Sequence, residues 1–302
     1  MTARQPGMDH DLYPYWPLPA RPPLRWPNGE RLAFTVFLYF EYWELDPPEE
    51  AVRDKRFSDL SGYYFPDYRT YSWREYGNRV GVFRVLDALD RHGLTATVAA
   101  NGEAVRRYPY LVNEFSRRGY EFAAHNTHAT RMLHSGMTEE EERAAIADAV
   151  AMVERHTGQR PRGWVGQDYG ESPRTPGLLA EAGLDYVADW PNDDQPYLMN
   201  GDHGLVSIPN QAEWDDVQLH WLRRLPMTRY PQIIEDGFAT LWDEGAASGR
   251  FFGLHIHPWL LGMPHRIRQL ELALERIATQ PEVWQATAGA VAAHIRSGRA
   301  YG

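Results

Sequence analysis

The sequence predicts an α/β fold in one domain, arranged as a β/α barrel. Short apolar runs alternate along the chain with segments of helical apolar spacing, which is typical of a largely parallel sheet. About seven such units fit into roughly 270 residues, and this number suits a single barrel better than two domains. The chain contains no internal repeat and no low-complexity linker that would divide it.

The first thirty residues are expected to form an arm, and residues 31–302 the barrel domain. Prolines are dense in this arm, and they exclude helix and interior strand. Trp16, Leu24 and Trp26 are nevertheless large apolar side chains, which favour burial. We therefore expect an ordered arm that lies over the domain or over a neighbouring subunit.

Residues 32–40 are predicted to be a buried strand, because a near-continuous apolar run suits a parallel strand covered on both faces. Residues 41–72 are predicted to be a long loop. The clearest helix is 138–156, where Thr138 and Glu141 form a capping box. The remaining predicted strands are 95–100, 121–124, 163–166, 185–189, 205–208 and 251–257. The remaining predicted helices are 79–92, 111–118, 176–182, 227–244 with an interruption near Pro231, 267–279 and 283–295.

Composition excludes several classes of function. The chain has 31 basic and 41 acidic residues, a net charge of −10, which disfavours nucleic-acid binding. The absence of cysteine excludes disulfides, thiolate metal sites and thiol nucleophiles. The sequence has neither a secretory signal nor a membrane span of about eighteen apolar residues. No membrane partner and a cytoplasmic location are therefore expected.

Acids and histidines follow five predicted strands. Reactive residues of β/α barrels lie at the carboxyl ends of the strands, so this placement is the main functional signal. Any one of these residues could be structural, and the joint placement is what carries the signal. The strand-end residues are Glu41; His125 and His128; Gln167, Asp168 and Glu171; Asp189, Trp190, Asp193 and Asp194; His255 and His257.

The histidines suggest a metal site or acid–base catalysis. His255 and His257 stand two apart on a strand and face the same side, although His255 could be a core histidine. His125 and His128 converge on a metal only if the chain turns helical after His125. Otherwise His128 is an exposed loop residue.

Glu41 is a candidate general base. It ends a very apolar strand, and burial raises the pKa of a carboxyl towards the range that suits a base near neutral pH. A salt bridge to Arg74 or Arg79 is the structural alternative. Trp43, Trp190 and Trp259 are candidate walls for a flat ring substrate or ordinary core residues.

The order of these motifs resembles the polysaccharide deacetylase (NodB-homology) superfamily. The resemblance is greatest to the branch that holds metal-independent allantoinase and cyclic-imidase-like proteins. It rests on the segments 74–81, 124–126, 162–166, 172–176, 186–196 and 257–266. It implies a distorted seven-stranded β/α barrel, a homo-oligomer, expected to be a tetramer, and hydrolysis of a carbon–nitrogen bond other than a peptide bond. Ring amides and imides are substrates in this branch, and N-acetyl sugars elsewhere in the superfamily.

The resemblance assigns roles residue by residue. Glu41 matches the family's base, and His257 matches the histidine of its fifth motif. His125 matches the first histidine of the metal-binding motif of the metal-dependent members. Tyr42 and Ala129, however, occupy the positions of the other two metal ligands.

The resemblance therefore implies a metal-free or unusually liganded site. His128 stands one residue before the position of the missing histidine, and the arginine of the third motif has no match. No cofactor is favoured. A divalent metal such as zinc, held by His125 and His128, is the alternative.

The resulting prediction is hydrolysis of a cyclic amide or imide of a small molecule by activated water. Glu41 deprotonates the water, His257 protonates the leaving nitrogen, and His125 stabilises the oxyanion. The alternatives are a metal-dependent N-deacetylase of an N-acetyl sugar and an inactive barrel that binds a small ligand. The predicted substrate-binding residues are Trp43, Asp168, Glu171, Trp190, Asp193 and Trp259.

Overall fold

The computed structural model of the chain describes residues 7–49, 51, 66–201 and 204–301. The strands are β1 Leu32–Phe40, β2 Thr97–Ala100, β3 Glu121–Ala124, β4 Gly163–Trp164, β5 Tyr186–Val187, β6 Tyr197–Leu198, β7 Val206–Ser207, β8 Arg250–Ile256 and β9 Val283–Gln285. The α-helices are α1 Tyr68–Tyr76, α2 Val82–Arg91, α3 Gly102–Arg107, α4 Pro109–Arg117, α5 Glu139–Thr157, α6 Thr175–Glu181, α7 Tyr230–Gly245, α8 Pro258–Leu261, α9 Ile267–Ala278 and α10 Ala288–Arg296.

The strands form one curled, largely parallel sheet, and the predicted α/β barrel fold is confirmed. Seven strands run parallel in the order β7-β5-β4-β3-β2-β1-β8, with β6 added antiparallel to β7. β9 pairs in parallel with the first residues of β1. In the described residues β7 and β8 do not pair. Instead, the side-chain amide of Gln211 donates to the carbonyl of Phe251 at 2.7 Å and accepts the N–H of Gly253 at 2.5 Å.

The two faces of β1 bury different residues. Leu32, Phe34, Val36, Leu38 and Phe40 pack with the outer helices. Ala33, Phe37 and Tyr39 pack in the barrel interior. Since side chains alternate along a strand, the side chain of Glu41 follows Tyr39 on the interior face at the carboxyl end. The same rule places His255 and His257 of the β8 region on the interior side.

The arm lies over this chain's own barrel. Leu24 and Trp26 are buried, and the indole N–H of Trp26 donates to the carbonyl of Arg250 at 3.0 Å. Arg21 forms an ion pair of 2.6 Å with Asp193. The division at residue 30 and the homo-oligomer remain predictions. Among the described residues, no helix is both long enough and apolar enough to cross a bilayer.

Two helix boundaries differ from the predictions. Residues 283–285 of the predicted last helix form β9, and α10 begins only after Thr287, whose side chain accepts the N–H of Ala290. Pro231 does not interrupt a helix. It lies in the first turn of α7, where a missing N–H costs no intrahelical hydrogen bond.

The predicted loop 41–72 ends earlier than expected. α1 begins at Tyr68, and the side chain of Asp67 caps it by accepting the N–H groups of Arg69 and Thr70. Residues 50 and 52–65 of that loop lie outside the described residues. The short helix α3 was not predicted.

Two glycines bring α8 close to the segment that joins α1 to α2. A five-residue π-helix, Gly77–Gly81, joins α1 to α2. A Cβ on Gly77 would lie 2.7 Å from the backbone nitrogen of Trp259, and one on Gly81 would lie 2.2 Å from the carbonyl oxygen of Pro258. Only glycine permits this approach, which sets the end of α1 beside Trp259.

Candidate active site

A small cavity opens at the carboxyl ends of the barrel strands. Its volume is about 30 Å³. A water molecule needs at least ~10–15 Å³ of such space, so the cavity holds about two waters. The lining residues are Tyr39, Glu41, Trp43, Arg74, His125, Gln167, Asp168, Tyr169, Asp215, Val217, Gln218, His257 and Trp259.

The carboxylate of Glu41 is held by side chains from three other segments. The indole N–H groups of Trp43 and Trp259 each point at Oε2 from 3.3 Å. The amide nitrogen of Gln167 lies 3.4 Å from Oε1, and Nε2 of His125 lies 3.8 Å from the same oxygen. The carboxylate is therefore fixed in direction, with Oε1 facing His125.

The charge of Glu41 differs from the sequence-based expectation. Burial by itself would raise the pKa of this carboxyl. The neighbouring His125, together with the positive charges of His257 and Arg74, outweighs burial and lowers the pKa to about 2. Glu41 is thus ionised throughout the physiological pH range, and the predicted rise of its pKa is wrong.

His125 has a defined orientation. Its Nδ1–H donates to the carbonyl oxygen of Val165 at 2.5 Å, which directs Nε2 towards Glu41. The residue that follows, Asn126, has a left-handed backbone with φ of 50°, and its side-chain oxygen accepts the N–H of Gln167 at 3.0 Å. Such strained backbone is common where functional side chains must be aimed.

His257 is paired with an aspartate that the sequence analysis did not select. Its Nδ1–H donates to Oδ1 of Asp216 at 2.6 Å, and its backbone N–H donates to Oδ2 at 2.9 Å. The imidazole stacks on the ring of Tyr39 with centroids 3.9 Å apart. Burial opposes protonation, but Asp216, Asp215 and Glu41 raise the pKa of His257 to about 9. At neutral pH His257 is therefore an imidazolium that can donate a proton from Nε2.

His255 lies behind this pair in the core. It is fully buried, stacks on Phe37, and its Nδ1 is hydrogen-bonded to the hydroxyl of Tyr39 at 2.9 Å. Burial and the charge of His257 lower its pKa to about 3, so His255 stays neutral. The arrangement is that of a core histidine that supports the ring stacked on His257.

Asp215 and Asp216 are the main site residues that sequence reasoning missed. They follow β7 in the chain, in a segment that carried no predicted element. The strand-end rule applied to the predicted strand 205–208 would have pointed to this adjacent pair. Tyr169, which follows the predicted strand 163–166, contacts this pair, because its hydroxyl donates to Oδ2 of Asp215 at 2.9 Å.

Four predicted site residues do not line the cavity. His128 lies 3.7 Å from a carboxylate oxygen of Glu44 and contacts Thr127. Glu171 accepts the indole N–H of Trp190 at 3.1 Å, and burial, with the nearby Asp189, raises its pKa. Asp193 is bound by the arm through Arg21. These side chains are engaged by Glu44, by Asp189 and Trp190, and by Arg21, and none of them lines the cavity. The other predicted site residues, Glu41, Trp43, His125, Asp168, His257 and Trp259, do line the cavity.

The side chains do not fit the metal site of the metal-dependent relatives. Tyr42 and Ala129, which replace two ligands, are neighbours here, since the N–H of Ala129 donates to the carbonyl of Tyr42 at 2.9 Å. Ala129 offers no ligand atom, and the ring of Tyr42 lies against the guanidinium of Arg107 at 4.2 Å. His125 therefore has no second protein ligand at the expected place.

A second set of side chains, separate from the metal-ligand positions of the relatives, lies close enough together to hold a cation. Among the described residues, ligand atoms of Asp215, Asp216 and His257 lie within 4.8 Å of one another. Both carboxylates already accept N–H or O–H groups, including the N–H groups of Val217 and Gln218 on Asp215. Binding of a metal would require these hydrogen bonds to break, so the donor set fits an acid–base pair better.

Comparisons with known proteins support the fold described above. The sequence model of the polysaccharide deacetylase family matches residues 75–187. A Schizosaccharomyces pombe protein, provisionally named as a polysaccharide deacetylase, is 24% identical over 290 residues, covering 87% of this chain and 89% of its own. The chain carries a polysaccharide deacetylase domain of the NodB type.

Solved structures show the same barrel over almost the whole chain. A probable polysaccharide deacetylase from Pseudomonas aeruginosa PAO1 has 26% identity and a TM-score of 0.79, covering 90% of this chain and 93% of its own. PuuE allantoinase has 24% identity and a TM-score of 0.82, covering 98% and 99%. The protein is a hydrolase of carbon–nitrogen bonds of the deacetylase or amidohydrolase type.

Proposed function

We propose that this enzyme hydrolyses a cyclic amide or imide of a small molecule with an activated water and without a metal. The observation that carries the proposal is the pairing of two opposed proton-handling units in one cavity. Glu41 and His125 form the first unit, and His257 with Asp216 forms the second. Hydrolysis of an amide needs both, because one proton leaves the water and another reaches the departing nitrogen.

The first unit activates the water. An ionised carboxylate with a pKa of about 2 is a weak base, so Glu41 acts chiefly by orienting the water and stabilising positive charge. Nε2 of His125 carries the lone pair, because Nδ1–H is bonded to Val165. The water gives its proton to this nitrogen and attacks the carbonyl carbon. The resulting imidazolium, beside Glu41, then faces the oxyanion and stabilises it.

The second unit completes the reaction. The tetrahedral intermediate collapses when its carbon–nitrogen bond breaks and the nitrogen takes the proton from Nε2 of His257. Asp216 keeps that imidazole protonated and oriented. In a cyclic substrate the amine and the new carboxyl group stay joined in one opened product.

The walls of the cavity support a small, flat substrate. The indoles of Trp43 and Trp259 line the cavity, and flat aromatic walls suit a planar ring. The fold shared with PuuE allantoinase is compatible with this choice, although that likeness concerns the fold.

A metal-dependent N-deacetylase is the second candidate. The deacetylase names of the relatives and the Asp215, Asp216 and His257 group favour it. An inactive binding barrel is less well supported, because Glu41, His125 and His257 all face the cavity.

A hydrolysis screen separates the candidates. Purified protein is incubated with hydantoins, allantoin, cyclic imides and N-acetyl sugars, and ring opening or acetate release is followed by mass spectrometry. We expect ring opening of at least one cyclic amide or imide. Acetate release from N-acetyl sugars without any ring opening would replace the proposal with the deacetylase, and no turnover would favour the binding barrel.

A further inference from the structure

Arg74 is a buried cation at the cavity whose charge helps to keep Glu41 ionised, but whose N–H groups the reaction above does not use. It lies in the last turn of α1, and only 5% of its surface is exposed. Its guanidinium lies 3.4 Å from the ring centre of Trp259, 4.1 Å from that of Trp43 and 5.3 Å from that of Trp221. These three indoles surround the charge in a wall of the cavity.

The Nε–H of this guanidinium has no hydrogen-bond acceptor in the described part of the chain. Among the described residues Arg74 forms no ion pair, and its Nε, which is buried, has no hydrogen-bond partner. Aromatic faces attract a cation, but they do not replace its N–H hydrogen bonds. A buried guanidinium without such partners is costly, and structures retain one where a ligand supplies the acceptors.

The other charges in the cavity already have partners. Asp216 is bonded to His257, and Glu41 faces His125 and two indole N–H groups. The carboxylates of Glu41, Asp168 and Asp216 act on Arg74 through charge, but among the described residues its nearest neighbours are indole rings and none of these carboxylates forms an ion pair with it. The planar fork of a guanidinium matches a carboxylate, which it binds through two parallel hydrogen bonds.

We propose that Arg74 binds a carboxylate of the substrate, so that the preferred substrates are cyclic amides or imides that carry an acidic side group. The inference rests on the proposed function for the ring and adds the charge of the substrate. Ring opening also creates a carboxylate, which is a second possible source of the same chemistry. The test must therefore use ligands whose rings cannot open.

Binding of a matched pair of ring ligands tests the proposal independently of turnover. The probes are 3-oxocyclopentylacetate and 3-oxocyclopentylacetamide, which share shape and ring carbonyl but lack a ring carbon–nitrogen bond. Binding is followed by tryptophan fluorescence, since Trp43 and Trp259 flank Arg74. We expect the wild-type enzyme to bind the carboxylate ~10- to 100-fold more tightly than the amide, as for a charge-assisted hydrogen-bonded pair.

Variants of Arg74 test whether this side chain causes the preference for the carboxylate probe. Arg74→Met keeps an unbranched side chain among the indoles and should abolish the preference, whereas Arg74→Lys, which keeps the charge but loses the fork, should retain a part of it. Arg79→Met is the matched control, because Arg79 is exposed and pairs with Glu75. Thermal unfolding confirms that each variant is folded.

Equal wild-type affinity for the two probes, binding of neither probe, or a preference that survives in Arg74→Met would overturn the proposal. Equal affinity would leave the carboxylate of the product as the partner of Arg74. Hydrolysis of hydantoin-5-acetate and hydantoin-5-acetamide is measured in parallel. Carboxylate selectivity in binding without any hydrolysis would refute the proposed function and leave the site of Arg74 standing.

Discussion

Replacement of Asp216 by asparagine should move the basic limb of the pH–rate profile. Asp216 accepts the Nδ1–H of His257 at 2.6 Å and is the first of the groups that raise the pKa of this histidine from 6.5 to about 9. The difference corresponds to ~3 kcal/mol. Asp216→Asn keeps the shape and removes the charge, so the pKa of His257 should return to about its ordinary value.

The size of the effect follows from the protonated fraction of His257. At pH 8, a pKa of about 9 leaves roughly 90% of His257 protonated, whereas a pKa of 6.5 leaves roughly 3%. kcat/KM of Asp216→Asn should therefore fall ~30-fold relative to wild type at pH 8. At pH 5.5 His257 is protonated in both enzymes, and kcat/KM of the wild type and of Asp216→Asn should agree to within about threefold.

The assay is kcat/KM from pH 5 to pH 10 on a cyclic imide, together with an NMR titration of His257. Asp215→Asn is the matched control. Asp215 also accepts backbone N–H groups but does not touch Nδ1 of His257, so its variant should shift the profile less. A basic limb that stays near pH 9 in Asp216→Asn would refute the assignment of His257 as the acid held by Asp216.

Other predictions follow from the same contacts. His257→Ala should lower kcat by ~10²–10⁴, and by less for substrates with better leaving groups, whereas His255→Ala should lower kcat much less. Kinetics of both variants measure the loss of kcat, and circular dichroism checks that both are folded. Glu41→Gln should lower kcat by ~10²–10⁴ with little change in the affinity for an uncharged ring ligand, and unchanged turnover would exclude its role. Raising the pH from 6 to 10 should lower the free energy of unfolding by ~3 kcal/mol more in wild type than in His257→Ala. The reason is that the raised pKa of His257 stabilises the fold below pH 6.5, and this contribution is lost as the pH passes 9. Urea titrations at both pH values measure the difference. Trp26→Ala should destabilise the fold by ~3–5 kcal/mol, far more than Trp16→Ala, and equal urea midpoints would contradict the docking of the arm.

Local patterns were sufficient for much of the fold. The apolar run of β1 predicted its burial, period-two alternation predicted that His255 and His257 share a side, and the strand-end rule selected Glu41 and His257. The prediction failed at residues 283–285, where apolar spacing suits either element and pairing with β1 decides. Such a tertiary choice leaves no local signal in the sequence.

The charges of the site were less predictable. Burial of Glu41 was anticipated, but the direction of its pKa depends on cations from other segments, including Arg74 and His257. Asp216 stands 41 residues before His257, and the sequence around neither residue predicts their hydrogen bond. Glu171 and Asp193 were included in the predicted site because they follow strands closely, yet Glu171 contacts Trp190 and Asp193 pairs with Arg21 of the arm, and neither lines the cavity.

The central claim is metal-independent hydrolysis of a cyclic amide or imide. The most direct measurement is kcat/KM of enzyme stripped with a chelator, with the divalent metal content of the same sample determined by elemental analysis. We predict well under one metal ion per chain and a kcat/KM equal to that of untreated enzyme, because Tyr42 and Ala129 occupy the ligand positions. Loss of turnover on stripping, recovered in proportion to added zinc, would contradict the account.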